Sequence, residues 1–112
     1  MSEFSIPGVR LGVAQAGIKY EGRDDLTLIE IAEGSLTAAV FTLNAFRAAP
    51  VVVAERNNVS QDARYILINS GNANAGTGKP GMDACEASCA AVAKQTNDVP
   101  NRVLPFSTGV IG

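Results

Sequence analysis

The sequence predicts an α/β fold, with a mixed or antiparallel sheet and helices packed on its outer face. Apolar residues alternate with polar or small ones at Val9, Leu11 and Val13, and again at Leu26 and Leu28, the two-residue period of a strand. Met82, Cys85, Cys89 and Val92 recur at spacings of three, four and three, which places them on one helical face. Between these patterns a short apolar run, Tyr65-Ile66-Leu67-Ile68, stops at Asn69-Ser70-Gly71, as a buried strand stops at a tight loop.

Taken in order, Met1 to Pro7 reads as a loose lead-in and Val9 to Ala14 as a half-buried strand. Lys19 to Asp25 is polar, contains Gly22 and fits a hairpin tip. Leu26 to Ala32 forms the return strand, Gly34-Ser35 a turn, and Leu36 to Leu43 a third strand. Three strands joined by short turns imply an antiparallel meander. Asn44 to Val59 carries conflicting signals. The triple valine Val51 to Val53 favours a strand, whereas Pro50 suits a first helical turn and the surrounding alanines, Glu55 and Arg56 suit a helix. The reading adopted is a helix ended by Asn57-Asn58. A strand from Tyr65, an Asn/Gly loop and a helix from Met82 to Thr96 follow, with Asp83 near the helix start and Lys94 near its end, as the helix dipole favours. Pro100 breaks the chain, Val103 to Phe106 is a last short strand, and Ser107-Thr108-Gly109 follows as a turn by residue type.

Composition narrows the function. The 112 residues suit one domain, and the formal net charge of -2, with acids and bases mixed along the chain, gives no electrostatic case for nucleic acid or an anionic membrane. No apolar run approaches the length of a membrane span, and no basic segment followed by a hydrophobic one opens the chain, so a cytoplasmic protein is expected. There is no histidine, which removes every catalytic triad with an imidazole base and most zinc sites.

Each candidate site has a plain alternative. Cys85 and Cys89 share a helix face, but two thiols without histidine do not complete a tetrahedral metal site, so small core residues are the expected role. Gly76-Thr77-Gly78-Lys79 resembles part of a phosphate cradle, yet Pro80 stands where a P-loop needs a hydroxyl. Arg10, Lys19, Arg23 and Lys79 are each expected on the solvated surface. Thr108-Gly109 is more suggestive: a strand delivers it, and a hydroxyl beside a glycine amide offers two donors converging on one point, as an oxyanion requires.

Four segments carry a resemblance. Ala16-Gly17-Ile18-Lys19, then Ala39-Val40-Phe41-Thr42-Leu43-Asn44 with Ala49-Pro50, then Asn69-Ser70-Gly71-Asn72-Ala73-Asn74-Ala75-Gly76-Thr77-Gly78, then Leu104-Pro105-Phe106-Ser107-Thr108-Gly109-Val110-Ile111-Gly112 occur in this order over nearly the whole chain. Together they resemble the N-terminal part of the α chain of the bifunctional ornithine acetyltransferase/N-acetylglutamate synthase (ArgJ) family of arginine biosynthesis. The resemblance implies one half of an αββα sandwich of the DmpA/ArgJ kind. It also implies a precursor that cuts itself before a threonine, giving an α and a β chain assembled as an α2β2 heterotetramer. That threonine, on the β chain, would take the acetyl group from N2-acetylornithine and pass it to glutamate by a ping-pong route, its own terminal amine serving as base.

On this resemblance Thr108 and Gly109 stabilise the oxyanion, and Asn72 and Asn74 are candidates for supporting the site from behind, with tight packing of their loop as the plainer role. No metal or nucleotide cofactor is implied; acetyl-CoA is a second acetyl donor if the enzyme is bifunctional. Residues 1–112 are then expected to be a single partial domain, lacking the nucleophile and inactive alone. Two rivals stay open: a self-cleaving aminopeptidase of the related fold, which would hand its acyl group to water, and a non-catalytic module binding an anion through the Asn/Gly loop and Lys79.

Overall fold

Val9 to Ala14 and Leu26 to Ile31 form the first two strands, β1 (Val9–Ala14) and β2 (Leu26–Ile31), paired antiparallel with Val9 opposite Ile31. The structure, a computed structural model, describes residues 6–15, 22 and 24–110. Met1 to Ser5, most of the expected hairpin tip, the Ala16 to Lys19 segment, Arg23 and the final Ile111-Gly112 lie outside the described residues. The remaining elements are α1 (Ala49–Asn57), β3 (Tyr65–Asn72), α2 (Gly78–Thr96) and β4 (Val103–Val110), with 3-10 turns at Asn58–Ser60 and Pro100–Arg102.

The four strands form one mixed sheet in the order β1-β2-β3-β4. β2 and β3 are antiparallel, whereas β3 and β4 run parallel, Tyr65 opposite Val103 and Gly71 opposite Gly109. Parallel neighbours need a crossover, and α2 supplies it.

The expected third strand of a meander at Leu36 to Leu43 is not formed. β2 is already paired on both sides, by β1 and β3, so the segment that follows it cannot pair with β2 as a meander requires. The segment instead runs without regular structure. Phe41 packs toward Ala54, Ala63 and Leu104, while Leu36, Val40, Leu43 and Phe46 are 86%, 98%, 99% and 94% exposed.

α1 begins as its sequence suggests. Ala48 is extended, Pro50 sits in the first turn where a missing N–H costs nothing, and the Ala49 amide is accepted by the Asn74 carbonyl at 3.3 Å. It ends at Asn57, as expected. The buried Asn57 side chain donates Nδ2 to the Val103 carbonyl at 2.9 Å and the Pro100 carbonyl at 3.3 Å, fastening the helix end to the start of β4.

α2 starts at Gly78, earlier than the expected Met82, because Pro80 again fits a first turn. Asp83 therefore lies in the second turn, where it pairs with Lys79 at 2.9 Å, and Lys94 falls in the last turn. Asn97, at φ 58°, ends the helix in the left-handed region, with its N–H and that of Asp98 both donating to the Ala93 carbonyl.

The core lies between the helices and one face of the sheet. Val53 of α1, Tyr65 and Leu67 of β3, Cys85 and Cys89 of α2 and Val103 of β4 are buried together, with Leu26, Leu28, Met82 and Val92 packed against them. Each large apolar side chain so buried contributes about 1.5–3 kcal/mol. The predicted helical face of Met82, Cys85, Cys89 and Val92 is therefore the packed one. The other sheet face carries Leu11, Val13, Ile29, Ile66, Ile68 and Phe106, exposed or half-buried, and at the β4 edge Leu104, which is buried against Ala54 of α1, Ala63 and Phe41. A layer with helices on one side and an apolar face on the other is what one half of the expected sandwich requires.

Candidate functional site

Strands β3 and β4 carry their polar residues at their carboxyl ends, the edge where α/β sheets most often hold ligands. Neither strand stops where the local sequence suggested. β3 runs past Ile68 to Asn72 and β4 runs past Phe106 to Val110, because Asn69-Ser70-Gly71-Asn72 and Ser107-Thr108-Gly109-Val110 pair with each other in register. Ser107-Thr108-Gly109 is thus strand rather than turn.

Gly109 is fixed by crowding. Its φ is 127°, and a Cβ at that position would lie 2.5 Å from the Gly71 carbonyl carbon and 2.7 Å from the Gly71 and Asn72 nitrogens. Gly71, its register partner, has φ 104°, also a conformation that favours glycine. Thr108 and Gly109 are exposed among the described residues, and the alternation along β4 directs Thr108 to the sheet face opposite that of Ser107.

On the helix side, Asn69, Asn72, Asn74, Ser88 and Ser107 line a cleft of about 230 Å³ floored by Leu67 and Pro105. The Ser107 hydroxyl donates to Asn69 Oδ1, and Asn69 Nδ2 donates to the Asn72 carbonyl at 3.0 Å. Asn72 Oδ1 accepts the Asn74 amide at 2.9 Å, an Asx turn.

Asn74 works as a clip. It sits at φ 56°, its Nδ2 donates to the Gly81 carbonyl at 3.0 Å, its Oδ1 accepts the Thr77 hydroxyl at 2.5 Å, and its carbonyl accepts the Ala49 amide. A Cβ on Gly81 would collide with Thr77 Oγ1 and Asn74 Oδ1. The polar atoms of Asn74 are thus engaged in joining the loop to the starts of both helices, the packing role expected as its plainer one.

Lys79 is 84% exposed and pairs with Asp83, and Arg10 pairs with Glu30 at 3.1 Å. Both fit the solvated-surface reading. The thiols of Cys85 and Cys89 are buried, and burial pushes them up from 9.0 to about 11 and about 12. Among the described residues no group of three His, Cys, Asp or Glu could hold a metal ion, and no helix is long and apolar enough to cross a membrane.

The Asn69–Ser107 link is a site feature that sequence reasoning missed. Its signal was present: two apolar runs each end in small polar residues, but only their parallel register brings those residues opposite each other.

A family model described as the ArgJ family matches residues 10–112. The chain belongs to the ArgJ family. Over 107 residues it is 61% identical to the arginine biosynthesis bifunctional protein ArgJ of Methylococcus capsulatus and 53% identical to that of Pseudomonas syringae, each match covering 96% of this chain. The chain spans 26% of the length of both relatives. Among solved structures, it is similar to ArgJ of Bacillus halodurans, with a TM-score of 0.87 and 36% identity over 95% of this chain and 56% of that one. It is similar also to an ornithine acetyltransferase of Mycobacterium tuberculosis solved with ornithine, at a TM-score of 0.84 and 35% identity over 95% of this chain and 58% of that one. The mixed sheet with helices on one outer face is therefore the ArgJ fold.

Proposed function

We propose that this chain forms part of an ArgJ enzyme of arginine biosynthesis that transfers an acetyl group from N2-acetylornithine to glutamate, with acetyl-CoA as a second donor. The attacking threonine is supplied by a β chain of the same precursor in an α2β2 assembly, and the acetyl group passes through that threonine in two half-reactions. Thr108 Oγ1 and the Gly109 amide donate to the oxyanion that forms when the acetyl carbonyl is attacked. No metal or nucleotide enters the reaction, and Asn72 and Asn74 act on it only by holding the loop beneath the two donors.

The observation that supports this reading most directly is the placement of Thr108-Gly109. The pair lies near the end of a parallel strand, with Gly109 resting on Gly71 and both residues exposed. A partner polypeptide could reach the pair there, and Gly109 keeps a rigid backbone position, as a preorganised donor must. The ornithine bound to the Mycobacterium relative accords with an amino-acid substrate of this size. Against an anion-binding module, the cations Lys79 and Arg47 beside the loop of residues 76–78 are already paired, Lys79 with Asp83 and Arg47 with Glu55.

The test is acetyl transfer by the full-length enzyme. Thr108→Ala should lower kcat by about 100-fold or more, the usual cost of one oxyanion donor, with KM little changed, and Thr108→Ser should restore most of the rate. A folded Thr108→Ala enzyme with an unaltered kcat overturns the assignment.

A further inference from the structure

Resting on the reading just given, we infer that Asn69, acting with Ser107, is a positioning residue for the Thr108-Gly109 pair. Asn69 lies in β3 directly opposite Ser107 in β4. Its side chain has two ends and uses both. Oδ1 accepts the Ser107 hydroxyl across the strands, and Nδ2 donates to the Asn72 carbonyl three residues ahead. One amide group thereby ties β4 to β3 immediately before Thr108 and closes the backbone of residues 69–72 into a fixed curve.

That curve is the surface on which the site rests. Ser70 and Gly71, enclosed between the two anchor points, are the register partners of Thr108 and Gly109, and Gly71 presses on Gly109. If the Asn72 carbonyl swings free, Gly71 moves, and the Gly109 amide moves with it. A misplacement of about 1 Å in a catalytic constellation can cost on the order of 100-fold in rate.

The role requires a short side chain with both an acceptor and a donor. Aspartate keeps only the acceptor, leucine has neither, and glutamine is one methylene too long for both reaches. Asn69 is half-buried at the rim of the cleft rather than in the apolar core, so its replacement leaves the packed centre of the chain intact.

The experiment is a kinetic cycle in the full-length enzyme, with acetyl transfer from acetylornithine to glutamate as the readout and thermal unfolding as the check on folding. Asn69→Leu should lower kcat about tenfold or more, with KM within about twofold of wild type. Ser107→Ala should do the same and Ser107→Thr, which keeps the hydroxyl, should recover the rate. In a Thr108→Ala background, Asn69→Leu should cost far less than it does alone, because the group it positions is already gone. If Asn69→Leu does not fold, Asn69→Asp and the Ser107 pair carry the same comparison. Full kcat in the folded variants, or equal fold-losses in both backgrounds, overturns the inference. A full rate for Thr108→Ala alone instead removes the oxyanion reading beneath it, so the two failures are told apart.

Discussion

Gly109 meets Gly71 backbone to backbone, so closely that a methyl group on Gly109 would lie 2.5 Å from the Gly71 carbonyl carbon. Gly109→Ala therefore adds a clash and a disfavoured φ of 127° together. It should destabilise the protein by about 2 kcal/mol or more, seen as a lower unfolding midpoint. Lost activity in that variant reports the strand pairing as much as the amide, which is why the hydroxyl of Thr108 is the cleaner probe. A midpoint equal to wild type would contradict the contact.

Asn74 makes a second prediction. Asn74→Ala removes the bonds to the Gly81 carbonyl and the Thr77 hydroxyl and places alanine at φ 56°. The expected loss is about 2–3 kcal/mol. Asn74→Gly loses the same bonds without the backbone strain and should be the milder by about 1 kcal/mol. Equal losses for the two in urea titrations would mean that the left-handed backbone carries no cost.

Asn57 is buried with its amide nitrogen on the Val103 and Pro100 carbonyls. Asn57→Ala leaves both acceptors without this donor and should cost about 1–3 kcal/mol. Asn57→Asp, which turns the donor into a buried acceptor, should be worse at neutral pH and partly recover in acid as the carboxyl gains a proton. Denaturation midpoints at the two pH values check this.

The buried thiols give a pH dependence of definite sign. Burial raises Cys85 from 9.0 to about 11 and Cys89 to about 12. Below the unfolded value both states keep their protons and the thiols add no slope. As pH rises from 9.0 toward the folded values, the unfolded chain releases protons that the folded chain retains, so stability falls. Thermal midpoints should therefore drop through this alkaline window, and less so in a Cys89→Ala variant. At neutral pH, thiol reagents should label neither cysteine until the protein unfolds.

Much of this was legible in the sequence, and the failures share a cause. The apolar periods of β1, β2 and α2 were readable because each element presents one face to its neighbours. Pro50 and Asn57 delimited α1 through local backbone chemistry. Leu36 to Leu43 has the composition of a strand but does not pair with its sequence neighbour, since β3 takes the place beside β2. The strand character of Asn69 to Asn72 and of Ser107 to Val110 was hidden for the converse reason. Residues that prefer turns are held extended by partners distant along the chain. Thr108 and Gly109 were singled out as candidates by residue type, position and family resemblance, whereas the Asn69–Ser107 link became visible only through register.

The parallel pairing of β3 and β4 also sets an order of events. Each residue of one strand meets a partner 38 positions away, so their union must wait for the helix between them, whereas β1 and β2 can join through a short connection. Contacts of such separation form slowly in a folding chain. The edge bearing Thr108 is thus expected to be the latest part of the sheet to acquire its shape. Pulse-labelled amides of residues 103–110 should gain protection after those of β1 and β2, and simultaneous protection would contradict that order.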